Sequence, residues 1–161
     1  MADAGRVRRI YDHAAASYDA SGIGRWFDRL RARLLAQAHG DVLELGVGSG
    51  ATLPFYREDV RTLTAIDVSP RMLDHARARA AGLAFPVRFL EADFQTLPFP
   101  DASFDTVVAS LALCGIPDPP RLFAETRRVL RPGGALLGVE HVRPGFAPLG
   151  LVFDLVTPLT E

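Results

Sequence analysis

The run Val42-Leu43-Glu44-Leu45-Gly46-Val47-Gly48-Ser49-Gly50 constrains this chain more than any other stretch: an apolar strand pattern breaks into three alternate glycines. A strand that ends in glycines lets the backbone turn sharply and lets a ligand approach closer than a Cβ would permit. Nucleotide-binding α/β folds of several kinds use such a turn, and the spacing here is GxGxG rather than the GxGxxG of dinucleotide-binding units. Acids at fixed distances downstream narrow the reading. Asp67 closes a second strand-like run, Leu63-Thr64-Ala65-Ile66, twenty-one residues after Gly46, and Glu91-Ala92-Asp93 closes a third, Val87-Arg88-Phe89-Leu90. Three successive strand ends therefore carry glycine, acid and acid.

From Asp41 onward the pattern alternates strand and helix. Strands are expected at 42–46, 62–67, 87–91, 105–110 and 135–141, all largely apolar, as a parallel sheet covered on both faces demands. Ser69 and Pro70 form an N-cap and a first helical residue, opening a helix that turns Met72, Leu73 and Ala76 inward and stops near Gly82. Asp118 and Pro119 repeat the device for a helix carrying Leu122, Phe123, Val129 and Leu130, closed by Pro132-Gly133-Gly134. The pattern predicts a doubly wound α/β domain, with a mostly parallel sheet, helices on both faces and ligands at the carboxyl ends of the strands. The first forty residues differ. Trp26, Phe27, Leu30 and Leu34 recur at helical spacing among Arg25, Arg29, Arg31 and Arg33, so residues 25–38 read as a basic, amphipathic helix.

With 161 residues and 48% hydrophobic content, one domain with a sizeable core is expected. A net charge of −1 gives no general pull toward nucleic acid. The single cysteine, Cys114, cannot form an internal disulfide and reads as a small apolar filler, and no Cys/His cluster has metal-site spacing. The arginines near the N-terminus are not followed by an apolar segment of signal-peptide type, and no stretch approaches the roughly 20 apolar residues of a membrane span. A cytoplasmic location is expected.

Two further stretches match in order and spacing: Leu97-Pro98-Phe99-Pro100-Asp101 before Ser103-Phe104-Asp105-Thr106-Val107-Val108, and Arg128-Val129-Leu130-Arg131-Pro132-Gly133-Gly134. From Tyr11 to Val142 the chain resembles the class I S-adenosylmethionine-dependent methyltransferases, in the small-molecule and lipid branch related to quinone-biosynthesis enzymes. Leu111-Ala112-Leu113-Cys114 and Glu140-His141-Val142 resemble most the phospholipid N-methyltransferases and thiol methyltransferases. The resemblance implies a Rossmann-like methyltransferase fold divided into an N-terminal cap (1–40), a cofactor-binding core (41–146) and an apolar tail (147–161). In the family two more strands come after the fifth. About five of seven are expected here, which would leave the fifth strand as an exposed edge prone to self-association.

The cofactor implied is S-adenosylmethionine. By resemblance Gly46, Gly48 and Gly50 let the main chain pass under its methionine part and into a following helix. Glu44 sits near its ammonium end; the alternative is a carboxylate paired with an arginine or a backbone amide, since an unpaired carboxylate is costly to bury. Asp67, with Val68 beside it, is placed to accept from both ribose hydroxyls. Asp93 would accept from the adenine amino group, with Phe94 on one side of the ring and Met72 on the other, although Met72 alone reads as core. Ser110, Leu111 and Ala112 would border the methionine moiety and the methyl group. Tyr11 and Tyr18 would fold over the cofactor, or else anchor a terminal helix.

Methyl transfer from a sulfonium needs orientation more than acid-base machinery. His141 at the end of the fifth strand could take a proton from an acceptor, or be structural. His13, His39 and His75 read as solvated. The acceptor expected is a small molecule or lipid, met at a membrane surface through the N-terminal helix; the alternative is that the helix packs its apolar stripe on the sheet and leaves its arginines solvated. Two rivals remain on sequence alone: a nicotinamide-dependent oxidoreductase, and a cofactor-binding protein without turnover.

Overall fold

The computed structural model describes Gly5, Arg8, Arg9, Asp12, residues 27–113, Ile116 and residues 118–140. Five strands, β1 (Gly40–Leu45), β2 (Val60–Asp67), β3 (Val87–Glu91), β4 (Phe104–Ser110) and β5 (Leu130–Val139), lie in the order β3-β2-β1-β4-β5 with every pairing parallel. The order in which strands are added reverses between β1 and β4, and in open α/β sheets that switch point opens a crevice at the carboxyl ends.

Alternation of side chains along β1 divides the core into two layers. Val42 joins Leu35, Leu53, Tyr56, Leu63, Leu73, Ala76 and Val108 beneath α1 (Asp28–Leu35), a 3₁₀ turn (Leu53–Phe55) and α2 (Pro70–Arg79). Leu43 and Leu45 join Ile66, Phe94, Leu97, Phe104, Val107, Leu122 and Val129 beneath α3 (Pro119–Val129). Fully burying a leucine is worth about 1.5–3 kcal/mol, so the two layers hold the sheet and its loops in one register.

The expected caps are present. Ser69 Oγ accepts from the Met72 amide at 3.1 Å, and Asp118 Oδ1 accepts from the Arg121 amide at 3.1 Å. Several boundaries differ from expectation. Pro54 and the short path to Val60 leave room only for a 3₁₀ turn where a helix was expected after the glycines. Helix α2 stops at Arg79, capped at Ala80, before Gly82. Strand β5 starts at Leu130, opposite Phe104; Ala135 then pairs with Thr106, so residues 131–134 bulge out around Gly133, whose φ is +82°. The expected Pro-Gly-Gly turn is thus present inside the strand.

Helix α1 corrects the reading of its faces. Arg31 and Leu35 point inward, whereas Leu30, assigned to the apolar stripe, is 46% exposed. Arg31 is paired with Asp28 at 3.2 Å on its own helix, and its charge also acts on the buried Glu44 of β1, so this position is not left to solvent. Arg25, Trp26, the strand end expected at His141 and the tail 147–161 lie outside the described residues. Among the described residues β5 pairs only with β4, and Leu136 on it is exposed.

Candidate active site

The ends of β1, β2 and β3 are locked level with one another. The amides of Gly46 and Val47 both donate to the Ile66 carbonyl, at 2.9 and 3.1 Å, and the Ala92 amide donates to the Asp67 carbonyl at 3.1 Å. Asp67 then ties two segments together: Oδ2 accepts from the Gly48 amide and Oδ1 from the Ser69 amide, both at 2.9 Å, and the Val68 amide also bonds to the carboxylate. Burial raises the Asp67 pKa above the usual carboxylate range, and the backbone amides pull it down. An ionised carboxylate offers about four acceptor positions, so Asp67 keeps capacity for a hydroxyl-bearing ligand.

The three glycines do different work. A Cβ on Gly50 would lie 2.8 Å from Leu53 Cδ1 and 3.0 Å from Ala76 Cα, so this glycine lets α2 seat directly on the loop. A Cβ on Gly46 would lie 2.6 Å from the Ala112 Cβ and 3.3 Å from the Phe94 ring, which draws the chain after β4 against the end of β1. Gly48, with φ at +54°, would meet nothing within 4 Å. Its left-handed backbone borders open space at the crevice, where a ligand can come close to the main chain.

At the end of β3, Asp93 is half-buried and its Oδ1 accepts from the Gln95 amide at 2.9 Å. Phe94 beside it is buried against Gly46. The N-terminal segment reaches this end of the sheet: Asp12 Oδ1 accepts from Ser69 Oγ at 2.5 Å, and Arg8 pairs with Glu91 at 2.8 Å. Tyr11 and Tyr18 lie outside the described residues, as does His141.

Two expected cofactor residues sit in the interior. Glu44 is completely buried; its oxygens accept from Thr52 Oγ1 at 2.6 Å and Tyr56 OH at 3.1 Å, which leaves no accessible surface for a ligand. Burial pushes its pKa up to about 7 against the pull of the two hydroxyls and the Arg31 charge, and burial also raises the Tyr56 pKa. The hydrogen-bond partners are hydroxyls rather than the arginine or amide anticipated, because position 44 shares the face of Val42 under α1 and the 3₁₀ turn. Glu44 braces the glycine loop through Thr52. Met72 is 1% exposed, one residue from Leu73 on the buried side of α2, and takes the core role.

At the end of β4, Ser110 is buried with its Oγ unpartnered. Leu111 has φ at +55° and its amide donates to the Val139 carbonyl at 2.8 Å. Glu140 Oε1 then accepts from the amides of Ala112, at 2.6 Å, and Leu113, at 2.8 Å. Sequence reasoning put Glu140 with His141 on the rim where substrate would enter but gave it no role of its own; its hold on these two amides is what the structure adds.

Arginines hold the opposite side of the molecule. Arg128 bonds both Glu125 oxygens at 2.8 Å, the Leu97 carbonyl at 3.0 Å, the Phe99 carbonyl at 2.7 Å and Asp101 at 2.9 Å. Its guanidinium holds Glu125 down at about 2. The matched stretches 97–101 and 128–134 therefore meet through this one side chain, and their shared role is to seat α3 against the start of β4. Asp41 and Asp105 bind Arg61 and Arg131 in the same way, and both carboxyls are held below their usual range.

A glycine loop at a switch point, flanked by acids on the next two strand ends, defines a Rossmann-like nucleoside-binding α/β protein. Residues 43–138 match the family described as methyltransferase domain, and the chain belongs to that family. It is similar to the phosphatidylethanolamine N-methyltransferase of Cereibacter sphaeroides, at 39% identity over 91% of this chain and 73% of that protein. It is also similar to the ubiquinone/menaquinone biosynthesis C-methyltransferase UbiE of Azotobacter vinelandii, at 35% identity over 92% of this chain and 64% of that protein. Among solved structures, a DhpI–SAM–HEP complex matches with a TM-score of 0.70 at 29% identity, over 93% of this chain and 71% of that one. The chain thus spans about two thirds to three quarters of the length of these relatives. The matches give the nicotinamide-dependent reading no support.

Proposed function

We propose that this protein binds S-adenosylmethionine at the carboxyl ends of β1 to β4 and transfers its methyl group to a small-molecule or lipid-like acceptor. The observation that carries the reading is the level alignment of Gly48, Asp67 and Asp93 on three neighbouring strand ends. The site's chemistry fits the ligand: open space at Gly48, unused acceptor capacity on Asp67 and an unpartnered hydroxyl on Ser110. Asp67 would hold the ribose hydroxyls, Asp93 and Phe94 the adenine, and the chain from Ser110 to Ala112 the methionine end. The sulfonium supplies a methyl carbon already activated for displacement. The residues contribute orientation and the exclusion of water, which can supply about 7–11 kcal/mol of the barrier.

Relatives named for a phospholipid and for quinones support an acceptor met at a bilayer. No helix among the described residues is long and apolar enough to cross a membrane, so contact would be peripheral. Leu30 is exposed between the exposed Arg29 and Arg33, and each basic residue beside an anionic leaflet contributes about 1 kcal/mol. Arg31, being buried, takes no part. The edge of β5 that pairs with nothing among the described residues is the surface proposed for self-association.

Calorimetry with S-adenosylmethionine and S-adenosylhomocysteine tests the central reading, with micromolar binding expected. Transfer of labelled methyl to phosphatidylethanolamine or a naphthohydroquinone separates an enzyme from a binding protein. Absence of binding of either nucleoside refutes the proposal. Co-sedimentation with anionic liposomes, lost in the double variant Arg29→Glu and Arg33→Glu, tests the membrane contact.

A further inference from the structure

An open groove of about 490 Å³ runs between α3 and the first half of β5, toward the amino end of that strand and away from the crevice at the carboxyl ends. One wall is a face of α3, with Phe123, Thr126 and Arg127 at i, i+3 and i+4, continued by Leu130 where the helix ends. The other wall is the bulge at residues 131–134 and Leu136 on β5. Phe123 is 48% exposed and Leu136 39%, and with Leu30 they are the large apolar side chains left open to solvent among the described residues. Two of them in one groove mark a surface that another segment covers.

The rim of the groove is basic. Arg131 is engaged by Asp41 and Asp105, and Arg121 and Arg128, farther along α3, also have partners. Arg127 is exposed and makes no hydrogen bond or ion pair among the described residues.

The chain's own continuation fits this groove. Residues 141–161 lie outside the described residues, and after Arg143 they carry Asp154 and Glu161 but no basic side chain. Leu149, Val152, Phe153 and Val156 recur at i, i+3, i+4 and i+7, the spacing of an apolar helical stripe. The sign of the segment's charge complements the free arginine, and its stripe suits a groove with Phe123 on one side and Leu136 on the other. The path is long enough. Leu136 lies about 13 Å back along β5 from Glu140 at the rise of a strand, and the stretch 141–148, which holds the turn signal Pro144-Gly145, spans up to about 26 Å when extended. A tethered segment also outcompetes a separate molecule, because its effective concentration is on the order of millimolar.

We propose that residues 149–156 fold back into the groove between α3 and β5, with their apolar stripe on Phe123 and Leu136 and with Arg127 offsetting the charge of Asp154 and Glu161. The segment is then an intramolecular cover. It hides the apolar face shared by α3 and β5 from other chains and leaves the crevice at the carboxyl ends open.

Hydrogen exchange of the full chain at neutral pH, read by mass spectrometry, tests the contact. Peptides covering 149–156 are expected to exchange at least about tenfold more slowly than the same sequence as a free peptide. Phe123→Asp and Leu136→Asp, made separately, should each cut that protection about tenfold, while peptides from β1 and β2 keep theirs within about twofold. Phe123→Leu should retain it, and Arg127→Glu should reduce it about threefold. Phe153→Asp changes the segment itself and should release it as fully while α3 and the sheet stay protected.

An unprotected segment in the wild type overturns the proposal, and so does protection unchanged in both Phe123→Asp and Phe153→Asp. Protection that disappears on about tenfold dilution makes a second copy the occupant, and protection that appears only with phosphatidylglycerol vesicles gives the segment to a lipid surface; either result overturns the intramolecular seat.

Discussion

Apart from the exposed Glu91, which pairs with Arg8, the two ends of the sheet hold their acids in opposite ways. At the carboxyl end, Asp67, Asp93 and Glu140 accept from backbone amides, and Glu44 beneath them accepts from hydroxyls. At the amino end, Asp41 and Asp105 meet Arg61 and Arg131, while Glu125 and Asp101 meet Arg128. The titration behaviour divides along the same line. Burial raises Glu44 and Asp67, whereas arginine partners lower Asp41, Asp105 and Glu125. An acid saturated by arginine has nothing left to offer and serves the fold. An acid held only by amides keeps an unused lone pair, and where it borders open space, as Asp67 does beside Gly48, a ligand can take it up; Glu44, sealed behind its hydroxyls, cannot be reached.

The largest expected effect that could break this comparison is in the pH dependence of stability. Folded protein holds the Glu44 proton up to about pH 7, whereas the unfolded chain releases it near the ordinary glutamate value of 4.5. The folded state therefore binds more protons across that window, and stability falls as pH rises through it, by roughly 3 kcal/mol at 1.36 kcal/mol per pKa unit. Thermal melts between pH 5 and 8 should show the wild type losing stability and Glu44→Gln running markedly flatter. A wild type insensitive to pH over that range would remove Glu44 from the contrast.

Next comes Arg128→Ala. It strips Glu125, Asp101 and two carbonyls of their shared partner, at a cost of about 2–3 kcal/mol by denaturant titration. A loss below about 0.5 kcal/mol would show that the 97–101 stretch is held by Phe99 and Phe104, whose rings meet edge-on at 5.1 Å.

A paired substitution sharpens the functional half of the contrast. Asp67→Ala should weaken S-adenosylmethionine about tenfold or more, from the roughly 1.5–3 kcal/mol of hydrogen bonds to a charged group. Asp105→Ala should lower the melting temperature and leave that affinity within about twofold. Equal effects of the two on binding would erase the distinction between the ends. The smallest effect is expected for Arg61→Ala, whose side chain is 63% exposed. An ion pair so open to solvent contributes little, and its loss should read as a small drop in melting temperature that added salt diminishes.

Much of this site was legible because its signals are local. Glycines at a strand end, Ser69-Pro70 and Asp118-Pro119 at helix starts, and acids directly after apolar runs all act over a few residues, and the structure keeps each where the pattern puts it. Helix α1 was misread for the opposite reason. Its alternation of leucines and arginines suggested an apolar stripe under a basic face, yet Arg31 turns inward toward Glu44, a residue on another element that no periodicity connects to it. Glu140 was placed on the substrate rim but given no role of its own, because the amides of Ala112 and Leu113 that it binds approach it only after β4 and β5 pair.

By itself the sequence determined the α/β class, the order of the strands' chemistry and the family, since backbone turns, caps and apolar runs are written in neighbouring residues. Only the tertiary structure decided which acids are spent and which are free. Glu44, Asp67 and Glu125 are all acids in helices or strands of similar apolar character, but packing sealed the first behind Tyr56, set the second against amides and gave the third an arginine. A carboxylate's chemistry is fixed by what stands within about 3 Å of it, and in this chain those neighbours come mostly from distant parts of the sequence.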